Sequence, residues 1–141
     1  MLISTKGRYA LRVMLDLAEQ DGGYVPLAEV AARQGISEKY LEGIIALLSR
    51  AGLVKSLRGK GGGYCLARTP EEYTVGEILR ITEGSLAPVS CLDDAKNACP
   101  RAGECLTLPM WEKLYATISN FLDSVTLVSI LDGSISSDYQ I

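Results

Sequence analysis

Apolar residues recur at steps of three and four through the first third of the chain, the spacing that collects them on one face of a helix. The pattern predicts a helix over residues 5–20, which Asp21 and two glycines end, and a second over 27–34. After a tight turn at Gly35, Ser37 is placed to cap a third helix. The buried face of that third helix is predicted to be Tyr40, Leu41, Ile44, Leu47 and Leu48. Helix, glycine turn and helix in this order indicate a helix-turn-helix motif.

The pattern becomes strand-like beyond Gly52, which suits the left-handed position after the third helix. Runs at 53–57 and 64–67 predict two strands, and the glycine-rich segment 58–63 between them predicts a hairpin with a basic tip. Thr74 then opens a fourth helix through the Thr-x-x-Glu spacing of a capping box. The inward side chains of that helix are predicted to be Ile78, Leu79 and Ile81.

The C-terminal part combines a loop with a long apolar stripe. Residues 85–106 hold three of the four cysteines and little apolar periodicity, whereas residues 107–131 predict one long helix. Its apolar face consists of Trp111, Leu114, Tyr115, Ile118, Phe121, Leu122, Val125 and Val128. Because four short helices offer little surface to cover this face, we expect a second copy of the chain to cover it in a two-fold dimer.

Together these elements predict a mainly α fold. Its parts are a winged helix-turn-helix DNA-binding domain with a two-stranded wing at 1–84, a cysteine-bearing sensor loop at 85–106, a dimerisation helix at 107–131 and a flexible tail at 132–141.

Charge is distributed unevenly along the chain. The net charge is −3, but residues 1–68 hold ten basic and six acidic residues, a net of +4, and residues 69–141 hold four and eleven, a net of −7. Between residues 50 and 68 there are five basic residues and no acidic one. A solvated basic surface would have the same composition, but the position of this run in the hairpin suits contact with phosphates.

Several classes of protein are disfavoured by composition. No segment has the roughly 18 successive apolar residues of a membrane span, and the N-terminus lacks a signal-peptide core. We therefore expect a cytoplasmic protein, in which four cysteines are more often thiols or metal ligands than disulfides. The chain contains no histidine, so a cysteine nucleophile would lack its usual base and the sequence predicts no enzyme.

A helix-turn-helix places its second helix in the DNA major groove, where base edges can be distinguished. The hairpin that follows can reach the adjacent minor groove or backbone, with Arg58 as the inserting residue and Lys60 beside it on the tip. Helix pairs of this kind also occur in ordinary helical cores. A nucleotide phosphate loop at 59–63 is disfavoured, because the Gly-Lys-Ser/Thr form is absent and no helix follows the glycines.

The chain resembles the Rrf2 family of winged-helix regulators over nearly its whole length, from the N-terminus to about residue 131. The resemblance is carried by STKGRYA at 4–10, ISEKYLE at 36–42, AGLV at 51–54 and RGKGGGY at 58–64. It implies a homodimer on a palindromic DNA operator. It further implies that base or phosphate contacts come from Ser37, Lys39, Tyr40 and Glu42, with Arg58 entering the minor groove. Lys39 stands where iron-sulfur members of the family carry serine, which bears on the operator sequence.

Cys91, Cys99 and Cys105 lie in one loop with seven and then five residues between them. This spacing lets a flexible loop fold its soft thiolates around one centre, which suits an iron-sulfur cluster or zinc, although free thiols remain an alternative. The loop matches the cluster loop of iron-sulfur members of the family and favours a cluster, 2Fe–2S over 4Fe–4S. Cys65, on the second wing strand, is predicted to be a buried structural residue.

A fourth ligand is not evident in the sequence. Iron-sulfur members of the family place a histidine three residues after the last cysteine, where this chain has Leu108. The remaining candidates are Asp93, Asp94, Glu104, a residue from the N-terminal helix of the partner subunit, a small molecule or water.

The sequence thus predicts a transcription repressor that senses iron-sulfur or redox status and controls genes of iron-sulfur or cysteine metabolism. One alternative is a cluster-free regulator of cysteine metabolism that responds through a regulatory protein partner or thiol oxidation. Another is a zinc-stapled interaction module that ignores operator DNA.

Overall fold

The computed structural model describes residues 2–20, 22–93, 96–97 and 99–135. Its helices and strands are α1 (Thr5–Ala18), α2 (Leu27–Gln34), α3 (Glu38–Arg50), β1 (Val54–Leu57), β2 (Gly63–Leu66), α4 (Val75–Glu83), α5 (Leu108–Ser124) and α6 (Leu127–Leu131). Two short 3₁₀ turns lie at Pro70–Glu72 and Ser90–Leu92. Asp21, the candidate ligand Asp94 and the last six residues of the predicted tail lie outside the described residues.

The first three helices enclose the main core. The buried residues of these helices include Val13, Met14, Leu17, Val30, Leu41, Ile44, Ile45 and Leu48. The predicted caps are confirmed: the Ser37 side chain accepts the Tyr40 backbone N–H, and Gly35 ends α2 in the left-handed conformation at φ 64°. The predicted inner face of α3 was wrong at Tyr40, which is 44% exposed. Ile45, which the predicted stripe omitted, is buried in the main core instead.

The hairpin is the predicted two-stranded antiparallel wing, with register from Val54 opposite Leu66 to Leu57 opposite Gly63. Val25 and Tyr64 exchange two backbone hydrogen bonds of 2.8 Å, which attach the wing to the segment before α2. Gly63 has φ 146°, and a Cβ at this position would lie 2.2 Å from the Val25 carbonyl oxygen, so the attachment requires glycine. Cys65 is buried, as predicted.

A smaller second core lies between α4 and the C-terminal part, formed by Val75, Leu79, Leu86 and Val125. Leu86 is only 1% exposed, so burial anchors the start of the predicted loop although the loop has little apolar periodicity. The Thr74 side chain accepts the Glu77 backbone N–H as predicted, whereas the Glu77 carboxylate accepts a hydrogen bond from Arg68. Ile81 is half-buried beside the first core.

The prediction of one helix through residue 131 was wrong, because the chain leaves the helix at Val125. There the Val75 N–H donates to the Val125 carbonyl at 2.9 Å, and the Leu127 N–H donates to the Tyr73 carbonyl at 3.2 Å. Thr126 and Ser129 form a reciprocal capping box that starts α6. Leu127 is completely buried in the main core, so burial and capping outweigh continuation of the helix.

The helix α5 contrasts with α1, α3 and α4 because none of its residues is buried. Met110 is 54% exposed and Leu114 is 39% exposed, and Leu106 just before the helix is 95% exposed. Over the described ranges, no helix combines the length and apolarity that crossing a bilayer requires.

Candidate nucleic-acid interface and cysteine loop

The first part of the candidate interface is the N-terminal end of α3. Ser37 caps the helix by accepting the Tyr40 backbone N–H at 3.1 Å. Because a hydroxyl both accepts and donates, Ser37 can cap the helix and still donate to a phosphate or base. Ser37, Lys39, Tyr40 and Glu42 are all exposed, so the structure brings these four predicted residues to one accessible helix end. The unpaired N–H groups of such an end favour anions.

The second part is the tip of the wing. Arg58 and Lys60 are both exposed there. The tip is closed by a hydrogen bond from the Gly62 N–H to the Gly59 carbonyl at 3.0 Å, with Gly59 and Gly61 at positive φ. The two predicted cationic residues therefore extend from a tight turn whose backbone has little bulk, which permits close approach to a phosphate backbone.

Within the basic run at residues 50–68, Arg68 differs from Arg58 and Lys60 because its side chain is paired within the chain. The Arg68 guanidinium donates to the Glu77 carboxylate at 2.8 Å and lies 4.4 Å from the Tyr73 ring centroid. The Tyr73 hydroxyl donates to the Leu53 carbonyl at 2.6 Å and accepts the Arg68 backbone N–H at 2.9 Å. Arg68 therefore fixes the base of the wing.

A buried carboxylate that the sequence analysis missed joins α1 to α2. Asp16 is 3% exposed and accepts two hydrogen bonds from Arg33, at 2.8 and 3.1 Å, and one from Gln34 at 2.9 Å. Burial alone would raise the pKa of Asp16, but these hydrogen bonds and the charge of Arg33 outweigh burial and lower the pKa below its usual value. An acidic residue three positions after Val13, on the apolar side of a helix, was the available signal.

The three thiols of the cysteine loop differ in how exposed they are. Cys91 lies in the turn Ser90–Leu92 and is half-buried, Cys99 is exposed, and Cys105 is half-buried. Cys99 and Cys105 line the same open cavity of about 450 Å³, together with Glu104. None of the four cysteines forms a disulfide.

The surroundings of Cys105 favour its thiolate form. Its sulfur lies 3.4 Å from the Thr107 hydroxyl. Hydrogen bonds from the Thr107 side chain and backbone lower the pKa of the Cys105 thiol, helped by the Leu108 backbone and the charge of Arg101. A thiolate is the form that binds soft metals.

The donor chemistry of the loop suits an iron-sulfur centre, but the described residues do not assemble one. Across the ranges that the structure describes, no three His, Cys, Asp or Glu side chains are gathered closely enough to hold a metal ion. Among the candidate fourth ligands, Glu104 shares the cavity with two cysteines, whereas Asp93 accepts a hydrogen bond from the Ser85 hydroxyl at 2.9 Å.

Comparison with known proteins finds a single family over nearly the full chain. The family model Rrf2, described as an iron-dependent transcriptional regulator, matches residues 3–133. The HTH-type transcriptional regulator IscR of Aliivibrio salmonicida is 42% identical over 132 residues, covering 93% of this chain and 77% of that protein.

Two solved structures are similar to this chain in fold as well as in sequence. T. potens IscR is 42% identical, with a TM-score of 0.76 and coverage of 100% of this chain and 92% of the other. CymR, the global cysteine regulator of B. subtilis, is 36% identical, with a TM-score of 0.76 and coverage of 94% and 98%. The helical fold with its two-stranded wing is therefore that of known regulators, and the relatives are transcriptional regulators, not enzymes.

Proposed function

This chain belongs to the Rrf2 family of transcriptional regulators, and from that premise we propose that it is a homodimer that reads a palindromic DNA operator. The observation that carries the proposal is that the exposed N-terminal end of α3 is followed in the chain by a wing whose exposed tip is cationic. The helix end offers Ser37, Lys39, Tyr40 and Glu42 to the major groove, and the wing offers Arg58 and Lys60 to the minor groove or phosphates.

The dimer is supported by the part of the apolar face of α5 that stays exposed, since Tyr115, Phe121 and Leu122 pack partly against the second core whereas Met110 and Leu114 do not. A helix with Met110 and Leu114 at its surface gains stability when a second copy covers these side chains. Two wings and two copies of α3, related by a two-fold axis, would read two half-sites at one fixed spacing.

We further propose that the loop holds a 2Fe–2S cluster through Cys91, Cys99 and Cys105, and that the regulator represses genes of iron-sulfur or cysteine metabolism. A bound cluster would supply sensitivity to iron supply, oxidants or nitric oxide. The chain's own contribution is a loop that connects α4 of the DNA-binding part to α5, with Leu86 anchored in the core that both helices share. The family's description as iron-dependent supports this proposal.

A cluster-free regulator of cysteine metabolism is the second candidate. It is favoured by the absence of a gathered metal-ligand group among the described residues and by the likeness to CymR.

DNA binding is tested by selecting duplexes of about 30 base pairs, enough for two half-sites one helical turn apart, from a randomised pool. The recovered sequence should be palindromic, and its affinity for the protein should fall steeply with salt. Arg58→Ala should weaken binding about ten- to a hundredfold and leave the dimer intact. Lys96→Ala, which removes an exposed charge from the cysteine loop, is the matched control and should bind like the wild type. Recovery of no preferred duplex would contradict the proposal.

The cluster is tested by anaerobic purification, the visible absorption spectrum and analysis of iron and acid-labile sulfide. Cys99→Ser should abolish the chromophore, whereas Cys65→Ala, at a buried thiol on β2, should retain it. Colourless wild-type protein without sulfide would support the cluster-free candidate.

A further inference from the structure

The exposed ring of Tyr40 on α3 packs against a second aromatic ring, which comes from α1. The centroids of Tyr9 and Tyr40 are 5.8 Å apart and their planes meet at 83°, the favourable edge-to-face arrangement. Tyr9 is itself half-buried and packs against the main core. One side of Tyr40 is therefore supported by the core, while 44% of the residue stays accessible.

Tyr9 is in turn held by Arg12. The Arg12 guanidinium carbon lies 5.1 Å from the Tyr9 ring centroid, a cation–π distance. The Arg12 Nε donates to the Gln34 side-chain oxygen at 3.1 Å, and its Nη2 donates to the Gln34 backbone carbonyl. That carbonyl ends α2, where the negative end of the helix dipole favours a cation.

Gln34 connects Arg12 to the buried carboxylate of Asp16. Its side-chain amide donates to Asp16, which also accepts the fork of Arg33. A continuous set of contacts therefore leads from a satisfied buried charge in α1, through the end of α2, to the aromatic side chain that α3 exposes near its capped N-terminus.

We propose that Tyr9 and Arg12 are positioning residues for Tyr40, restricting its ring to the orientation in which it contacts operator DNA. This inference rests on the proposed DNA-binding function. Holding a side chain in its bound orientation before binding reduces the entropy lost on association, so the effect falls on operator affinity. Neither residue needs to contact DNA to have this effect.

The test is a double-mutant cycle between Tyr9→Leu and Tyr40→Ala, measured as affinity for the tightest duplex recovered from the randomised pool. Tyr9→Leu alone should weaken binding about two- to tenfold, the range expected from loss of an aromatic pair. In the Tyr40→Ala background the same change should cost less than about twofold, because no ring remains to be positioned. Tyr9→Phe keeps the ring and should restore wild-type affinity.

Arg12→Gln provides a second variant that removes an exposed side chain and so should not impair folding. It should weaken operator binding about two- to fivefold, again only when Tyr40 is present. Salt dependence separates positioning from direct contact: a positioning residue leaves the slope of affinity against salt unchanged, whereas a direct phosphate contact contributes about one to it.

Equal losses from Tyr9→Leu with and without Tyr40 would overturn the inference, and so would a reduced salt slope in Arg12→Gln. Both results presuppose wild-type operator binding. Failure of the wild-type protein to select any duplex would instead refute the proposed function.

Discussion

The helices α3 and α5 have the same kind of amphipathic sequence but different surroundings. Over thirteen residues, α3 buries Leu41, Ile44, Ile45 and Leu48. Over seventeen residues, α5 has no fully buried residue, although Tyr115, Phe121 and Leu122 of its longer apolar stripe pack partly against the second core. The difference shows that periodicity predicts that a helix has an apolar face, whereas it does not reveal whether the same chain or another molecule covers that face.

Charged pairs also differ between the helical core and the region around α5. Between α1 and α2, Asp16 is buried and accepts three hydrogen bonds from Arg33 and Gln34. At the junction of α4 and α5, Asp123 and Arg80 form a two-pronged pair at 2.7 and 3.0 Å, but their side chains are 46% and 39% exposed. Since Asp16 is buried and water screens the second pair, removing one partner should cost more stability in the first pair than in the second.

The largest expected effect tests the packing of α3. Leu48→Ala removes a completely buried side chain and should lower the free energy of unfolding by about 2–5 kcal/mol. Leu106→Ala makes the same chemical change at a residue that is 95% exposed and should alter it by less than about 0.5 kcal/mol. Denaturant unfolding at fixed protein concentration measures both, and equal effects would remove the contrast.

The next effect tests the two carboxylates. Asp16→Asn should cost about 1–3 kcal/mol of unfolding free energy at neutral pH, because it leaves the Arg33 guanidinium without its ionised partner. Asp123→Asn, the control at an exposed pair, should cost about 0–1 kcal/mol. Comparable losses would show that burial does not distinguish the pairs.

The Asp16 effect should also depend on pH. Its pKa is lower in the folded state than its ordinary value of 3.8, so the ionised form contributes stability that is fully present above 3.8. This contribution is lost as the pH falls through the lower folded-state pKa. The difference between wild type and Asp16→Asn should therefore be constant near neutrality and shrink below pH 3.8, as followed by urea unfolding at a series of pH values.

The smallest effect concerns the face of α5. Leu114→Ala should weaken the proposed dimer about tenfold, because it shortens two symmetry-related leucines, and covering the exposed 39% of each contributes on the order of 0.5–1 kcal/mol. Sedimentation equilibrium would measure the dissociation constant, with Glu112→Ala as the control on another side of the helix. An unchanged dissociation constant would place the partner surface elsewhere.

Local signals in the sequence were sufficient for much of the fold. Ser37 and Gly35 cap helices through interactions within a few residues, and the wing follows from glycines between two short apolar runs. The break at Val125 also had a local signal in Thr126 and Ser129, which the continuing apolar stripe obscured. Such features are predictable because their physics does not require the rest of the chain.

Other features depend on tertiary placement. The bond between Asp16 and Arg33 joins residues seventeen positions apart, and Tyr9 meets Tyr40 only after α1 and α3 have packed. Leu86 is a single apolar residue without periodicity, yet it is almost fully buried. For the candidate site, periodicity wrongly placed Tyr40 on the buried face of α3, and only the family resemblance pointed to it as a contact residue. Neither indicated that Tyr9 contacts its ring.

The return of the chain at Val125–Leu127 limits how this molecule can be divided. Leu127 completes the main core beneath the helix-turn-helix, and Tyr73 and Val75 take their backbone partners from the segment that follows α5. A protein truncated before that segment would lack Leu127 and would have a cavity in its main core. A DNA-binding part moved to another protein would therefore need α5 and α6 with it to keep its core filled.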